Sequence, residues 1–144
     1  SRLNSVAGAV VRDLKIAAAT DITGFGLGGH ALEMALASNV TVALHAEALP
    51  LMPHALEYAR DGLIPAGSHL NRKYWACSTR VAEGVDEALT SLAFDAQTSG
   101  GLLLAVPPQQ VAEACKLLLA GGDMACEVGE VLETEADGTA LILR

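Results

Sequence analysis

The sequence is poor in aromatic residues, in cysteine and in clustered positive charge. Aromatic residues make up 3% of the 144 residues and hydrophobic residues 51%, so the core must be built from Ala, Val, Leu and Ile. The three cysteines are an odd number without C-x-x-C spacing, which argues against a disulfide framework or a zinc site. The net charge of −8, with scattered Lys and Arg, excludes the basic patches that bind nucleic acid or anionic membranes.

The sequence also lacks an apolar run of transmembrane length and a signal peptide. We therefore expect a soluble, cytoplasmic protein in a reducing compartment. The length suits a single domain, residues 1–144, and the absence of a starting methionine suggests a fragment of something longer. Cys115 and Cys126 occupy apolar positions and are expected in the core, whereas Cys77 lies in a polar stretch and is expected to be exposed.

Apolar periodicity predicts alternating helices and strands, which is typical of an α/β or α+β fold with helices packed on a mixed β-sheet. Strands are predicted over residues 16–19, 40–44, 102–106, 125–132 and 139–143, and helices over 4–14, 27–38, 51–60 and 84–92. A further helix opens at Pro107-Pro108 and ends at Gly121-Gly122. Residues 65–80 are predicted as a long loop with at most a short helix, and Asp137-Gly138 as a hairpin turn.

The first chemical signal is Thr20-Asp21-Ile22-Thr23-Gly24-Phe25-Gly26, at the junction of a predicted strand and helix. Glycine turns and helix N-termini direct N–H groups toward anions, so Thr23, Gly24 and Gly26 are candidates to lie near phosphate. Asp21 would repel phosphate but can hold Mg²⁺, which bridges to phosphate oxygens. The pattern indicates a magnesium-nucleotide site. The alternative is that Asp21 caps the helix and the glycines only turn the chain.

The second signal is Gln97-Thr98-Ser99-Gly100-Gly101, just before a predicted strand. One amide, two hydroxyls and two glycines can line a phosphate path, and they can equally form a turn whose hydrogen bonds are satisfied internally. The segment alone does not distinguish the two. His30 lies on the helix that follows the first motif, where a packed or hydrogen-bonded histidine is favoured over a metal ligand.

These motifs resemble the second-half signatures of selenide, water dikinases. The resemblance rests on residues 18–27, on Gly29-His30-Ala31 and on residues 94–103, with Asn71 and Tyr74 in the expected order between them. That family lies in the aminoimidazole ribonucleotide synthetase-like superfamily, and the resemblance covers essentially the whole chain. Ala96 stands where the family usually has Pro, and Gly28 where it usually has a larger apolar residue.

The resemblance implies a C-terminal α/β domain whose N-terminal, ATP-binding half is absent here. The family's reaction converts selenide, ATP and water to selenophosphate, AMP and orthophosphate. By resemblance, Asp21 is a Mg²⁺ ligand, the full enzyme is a homodimer, and no catalytic residue lies in this chain. Two alternatives remain open: another ATP-dependent member of the superfamily, and a non-catalytic interaction module with the same fold.

Overall fold

In a computed structural model, which describes residues 4–144, helices pack on two β-sheets. The helices are α1 (Ser5–Asp13), α2 (Gly26–Ser38), α3 (Ala55–Arg60), α4 (Ala66–Trp75), α5 (Glu87–Ala93) and α6 (Val111–Ala120). The strands are β1 (Ala18–Asp21), β2 (Thr41–Leu44), β3 (Thr79–Val81), β4 (Leu102–Ala105), β5 (Gly129–Leu132) and β6 (Leu141–Leu143). The predicted fold class is confirmed. None of the helices in this part of the chain is long and apolar enough to span a membrane.

The strands form an antiparallel pair, β1-β4, and a mixed sheet in the order β3-β6-β2-β5. Strand β6 runs parallel to both β2 and β3, whereas β5 is antiparallel to β2. The predicted hairpin at Asp137-Gly138 is therefore wrong, because β5 and β6 lie on opposite sides of β2. The physical reason lies in the connection after β5, which binds the start of β2: the Thr41 hydroxyl accepts the amide of Glu135 at 3.1 Å and donates to the carbonyl of Thr139 at 2.8 Å. Burial agrees with this order, because β2 and β6 are fully buried whereas β5 is largely exposed and forms an edge.

The main hydrophobic core lies between α2, α5 and the mixed sheet. Its fully buried large side chains include Phe94 and Leu32, together with Leu44, Leu141 and Leu143 from β2 and β6. A second cluster, built from Ala7, Val10, Ile16, Ala114 and Leu118, packs α1 and α6 together. Helix α2 ends where the sequence predicted, because Asn39 adopts the left-handed conformation with a φ of 52°.

Helix α4 is the largest error of the sequence prediction, which gave residues 65–80 as a long loop with at most a short helix, whereas the helix has 10 residues. The helix follows Pro65 and buries polar side chains, and Ser68 is 1% exposed. An apolar stripe, the usual signal of a helix, is therefore missing. The opposite error occurs before α3, because the helix predicted over residues 51–60 begins only at Ala55. Met52, which would lie on the buried face of that longer helix, is 76% exposed.

Two apolar positions near the C-terminal half are also exposed against expectation. The apolar spacing of the helix before Gly121-Gly122 predicts that Leu119 is buried beside Leu118, but Leu119 is 61% exposed. Cys126 is exposed because β5 begins only at Gly129, so the predicted strand over residues 125–132 is too long. Cys77 is exposed as predicted, and Cys115 is partly buried.

Two leucines one turn apart on α2 test the assignment of the core. Leu32 is completely buried, whereas Leu36 is 51% exposed. We expect Leu32→Ala to lower the free energy of unfolding by about 2–5 kcal/mol, because it removes core contacts and leaves a cavity. Leu36→Ala is the matched control and should change it by no more than about 0.5 kcal/mol. Urea denaturation of both variants measures the difference, and equal losses would contradict the described orientation of α2.

Candidate functional site

The structure places the two sequence motifs side by side. Strands β1 and β4 pair so that Asp21 lies opposite Leu102. Beyond the strands, the amide of Ile22 donates to the carbonyl of Gly101 at 3.0 Å, and the amide of Gly100 donates back to Ile22 at 3.1 Å. We call residues 22–26 the glycine turn and residues 95–101 the polar loop. The two segments, far apart in sequence, form one continuous surface at the end of the β1-β4 pair.

Thr23 extends this contact between the glycine turn and the polar loop. Its carbonyl accepts the amide of Gln97 at 2.9 Å and that of Gly26 at 3.1 Å. The N–H groups of Gly26, Gln97 and Gly100 are thus used within the chain, in contacts that shape the turn and the loop. Gly24, Gln97, Thr98, Ser99 and Gly100 are exposed, whereas Thr23 and Gly101 are partly buried.

Two glycines allow the turn and the loop to approach closely. Gly26 has a φ of +70°, and a Cβ placed there would lie 2.6 Å from the carbonyl oxygen of Asp95. A Cβ at Gly100 would lie 2.7 Å from the side chain of Ile22. Gly24, in contrast, has open space around it. The positions that need glycine for packing are therefore Gly26 and Gly100 rather than every glycine of the two motifs.

Helix α4, which is longer than the short helix that the sequence analysis allowed, holds both segments from one side. The Asn71 Nδ2 group donates to the carbonyl of Gly24 at 2.8 Å and to that of Phe94 at 3.1 Å. One turn earlier, the buried Ser68 hydroxyl donates to Asp95 Oδ1 at 2.5 Å. The i, i+3 spacing of these polar residues after Pro65 was the one signal that could have revealed the helix and its role.

Helix α2 contacts the glycine turn through a buried histidine. His30 Nε2 lies 3.0 Å from the Thr23 hydroxyl, and His30 Nδ1 lies 3.0 Å from a carboxylate oxygen of Glu33. The ring of Phe25 lies near the imidazole, with 5.6 Å between ring centroids. His30 is hydrogen-bonded as the sequence analysis favoured, and these contacts occupy both of its ring nitrogens.

Asp21 itself is an exposed carboxylate at the end of β1. Within residues 4–144, its side chain forms no hydrogen bond or ion pair, and no cluster of three or more His, Cys, Asp or Glu residues could hold a metal. A free carboxylate oxygen suits Mg²⁺, which prefers oxygen ligands. Asp21 therefore offers one such ligand at the end of β1.

Positive charge near this site is not provided by the described arginines. Each of them already pairs with a carboxylate: Arg12 with Asp13, Arg60 with Asp86, Arg72 with Glu87, Arg80 with Glu135 and Asp137, and Arg144 with Glu130. Two of these arginines also shift the pKa of the carboxylate that they contact. The hydrogen bond from Arg60 lowers the pKa of Asp86, and the one from Arg72 lowers the pKa of Glu87. Anions at the glycine turn would not find a free guanidinium among these residues.

A cavity of about 460 Å³ lies next to the polar loop. Gln97, Gly100 and Gly101 contribute to its wall, but most of its lining is apolar, including Leu44, Leu103 and other core side chains. An apolar wall does not suit a triphosphate, because buried anions need hydrogen-bond donors or counterions. The exposed surface around Asp21 is therefore the better candidate for phosphate chemistry.

Comparisons with known proteins agree with the motifs. Residues 3–141 match the family model described as AIR synthase related protein, C-terminal domain. A selenide, water dikinase of Nitratidesulfovibrio vulgaris (strain DSM 19637 / Miyazaki F) is 56% identical over 144 residues, which cover 100% of this chain and 41% of that protein. The selenide, water dikinase 2 of Peptoclostridium acidaminophilum is 38% identical over 99% of this chain and 41% of its own length. These relatives confirm the resemblance, and the chain spans about two fifths of their length.

Two glycines of the same turn provide a matched test of the close approach. We expect Gly26→Ala to lower the free energy of unfolding by about 1–3 kcal/mol, because alanine tolerates neither the positive φ nor the contact with Asp95. Gly24→Ala adds the same methyl group into open space and should change stability by about 0.5 kcal/mol or less. Thermal unfolding of both variants, followed by circular dichroism, measures the contrast. Equal melting temperatures would contradict the described packing.

The role of Asn71 is tested by hydrogen exchange. We expect Asn71→Ala to lower the free energy of unfolding by about 1–2 kcal/mol, because it leaves two carbonyl groups without their donor. The amides of Gln97 and Gly100 should exchange faster, since the contact between turn and loop loosens. Lys73→Ala on the exposed side of the same helix is the control and should leave both exchange rates unchanged. Unaltered exchange in Asn71→Ala would show that α4 does not hold the loops.

Proposed function

The chain belongs to the AIR synthase related protein family, as its C-terminal domain, and from this premise we propose that it forms part of a selenide, water dikinase. The proposed reaction converts selenide, ATP and water to selenophosphate, AMP and orthophosphate. In this proposal, residues 1–144 are the C-terminal domain of a longer enzyme. The proposal draws on the printed names of the relatives and on the two motifs that these residues bring to one surface.

The observation that carries the proposal is the surface shared by Asp21, the glycine turn and the polar loop. It combines an unpartnered carboxylate with the exposed hydroxyls of Thr98 and Ser99, which form no hydrogen bonds within the described residues. Such groups suit a hydrated, metal-bound polyphosphate, because the carboxylate binds the cation and the hydroxyls can donate to phosphate oxygens.

Electrostatics determines how Asp21 can take part. A carboxylate and a triphosphate repel each other, and the described arginines are already paired. Asp21 therefore acts through Mg²⁺, which supplies the positive charge that phosphoryl transfer requires when it is bound. Asp21 contributes one oxygen ligand, and the remaining ligands come from the rest of the enzyme. Thr23, Gly24, Gln97, Gly100 and Gly101 shape the surface on which the phosphates lie.

The remaining parts of the reaction belong to residues outside this chain. The resemblance places the family's nucleophilic Cys or selenocysteine and its Lys in an N-terminal loop, and none of Cys77, Cys115 and Cys126 matches that loop. We propose that the ATP-binding N-terminal domain supplies them and packs against this domain in a cytoplasmic homodimer. The isolated domain is then folded but has no turnover.

Removing the Asp21 charge tests the metal role. In the full-length enzyme, we expect Asp21→Asn to reduce turnover by about 100-fold, because a lost metal ligand raises the barrier by about 3 kcal/mol. ³¹P NMR with ATP, Mg²⁺ and selenide under anaerobic reducing conditions measures selenophosphate and orthophosphate, and AMP is measured in the same sample.

The matched control is Asp61→Asn, since Asp61 is also exposed and its side chain forms no described contact. It should keep wild-type turnover. Full activity of Asp21→Asn at limiting Mg²⁺ would contradict the ligand role. A wild-type enzyme that consumes ATP only with another acceptor would instead support a different ATP-dependent member of the family, and one without any ATP turnover would support the interaction module.

A further inference from the structure

Thr23 is the residue at which the glycine turn, the polar loop and α2 meet. Its carbonyl accepts amides from Gly26 and Gln97, while its hydroxyl contacts His30 on α2. The Thr23 side chain therefore links α2 to the turn that follows Asp21. The orientation of this hydroxyl depends on which nitrogen of His30 carries the proton, because Nε2 can either accept from Thr23 or donate to it.

Glu33 determines that choice. A carboxylate only accepts hydrogen bonds, so the His30 Nδ1 atom at 3.0 Å must carry a proton. With a bare Nδ1, two sets of lone pairs would face each other at that distance. In the neutral ring, Nε2 is then the unprotonated nitrogen, and the Thr23 hydroxyl must donate its proton to it. The Thr23 oxygen keeps both of its lone pairs as acceptors but has no proton left to donate elsewhere.

We propose that His30 and Glu33 are positioning residues, which hold Thr23 with its hydroxyl proton directed toward α2 and thereby fix the glycine turn beside Asp21. This inference rests on the proposed function, since it concerns the surface that binds metal and phosphate. It also restricts the chemistry of that surface, because Thr23 beside a neutral His30 can accept a hydrogen bond from metal-bound water but cannot donate one to a phosphate oxygen.

The position of the three residues suits this role. His30 is buried, and the ring of Phe25 lies close to its imidazole, so water does not replace its partners easily. Glu33 lies one helical turn after His30 and is half-exposed, so its side chain can be substituted without disturbing the buried core. Glu33→Gln keeps the shape and a high helix propensity but offers both a donor and an acceptor to Nδ1. This variant therefore removes the constraint on the His30 tautomer and leaves no cavity.

The chain contains a matched control for this pair. His54 Nδ1 lies 3.0 Å from Glu57 Oε2 with the same i, i+3 spacing, but both side chains are exposed and His54 Nε2 has no hydrogen-bond partner among the described residues. Glu57→Gln therefore makes the same chemical change at a histidine that contacts neither the glycine turn nor the polar loop.

The first test is spectroscopic and does not depend on activity. Long-range ¹H–¹⁵N correlation spectra of the ¹⁵N-histidine-labelled protein report which ring nitrogen of each neutral histidine carries the proton. We expect His30 to be protonated at Nδ1 in the wild type and to become a mixture of tautomers in Glu33→Gln. Glu57→Gln should leave the His30 signals unchanged. A wild-type His30 protonated at Nε2 would overturn the proposal.

The second test uses the full-length enzyme and separates positioning from general damage. We expect Glu33→Gln to raise the Mg²⁺ concentration for half-maximal activity by about 3- to 10-fold, with kcat at saturating Mg²⁺ changed by no more than about 2-fold. Thr23→Val should show the same shift, and Thr23→Ser, which restores the hydroxyl, should lie between Thr23→Val and the wild type. Glu57→Gln should show no shift.

The outcomes distinguish this inference from the proposed function. An enzyme that makes no selenophosphate refutes the proposed function, while the His30 tautomer still decides whether Glu33 fixes Thr23. An active enzyme in which Glu33→Gln folds normally but leaves the Mg²⁺ dependence unchanged refutes the positioning role. A fall in kcat alone, with the same Mg²⁺ dependence, also refutes it, because a positioning effect on the metal ligand must appear in metal binding.

Discussion

The backbone contact between the glycine turn and the polar loop is the interaction on which the candidate site depends. Three amide-carbonyl bonds join Ile22 and Thr23 to Gln97, Gly100 and Gly101, and they continue the pairing of β1 with β4. Backbone bonds of this kind hold the chain path whatever the side chains are, and the side chains of α2 and α4 then fix it from two directions. These backbone and side-chain contacts hold the exposed groups beside Asp21 in place.

The distribution of charge supports the proposal that this domain acts together with another one. The described arginines all form ion pairs on the surface, and none of them pairs with Asp21. In the proposed function, a surface with a free carboxylate and free hydroxyls but without a free guanidinium binds a metal-bound anion in preference to the bare anion. The same surface would be a poor phosphate site by itself, which agrees with a domain that spans about two fifths of its relatives.

Sequence patterns predicted this structure well where apolar spacing carried the information. Helix α2, its end at Asn39 and strand β4 follow from such spacing. The length of helix α4 was underestimated because its contacts with the site are made by Ser68 and Asn71, which look like loop residues in a sequence. The adjacency of the two motifs is a long-range pairing, and no local pattern encodes which strands become neighbours. Only the structure explains why glycine occupies position 28, because the ring of Phe94 fills the space that a side chain would need.

The interior position of β6 has a consequence for how the domain is made. This strand comes last among the described strands, yet it is the only link in the mixed sheet between β3 and β2. As a ribosome delivers the chain from its N-terminus, β2 and β3 emerge early and have no shared neighbour until residues 141–143 arrive. The sheet therefore closes late, and until then its apolar strand edges are surfaces that a chaperone could bind.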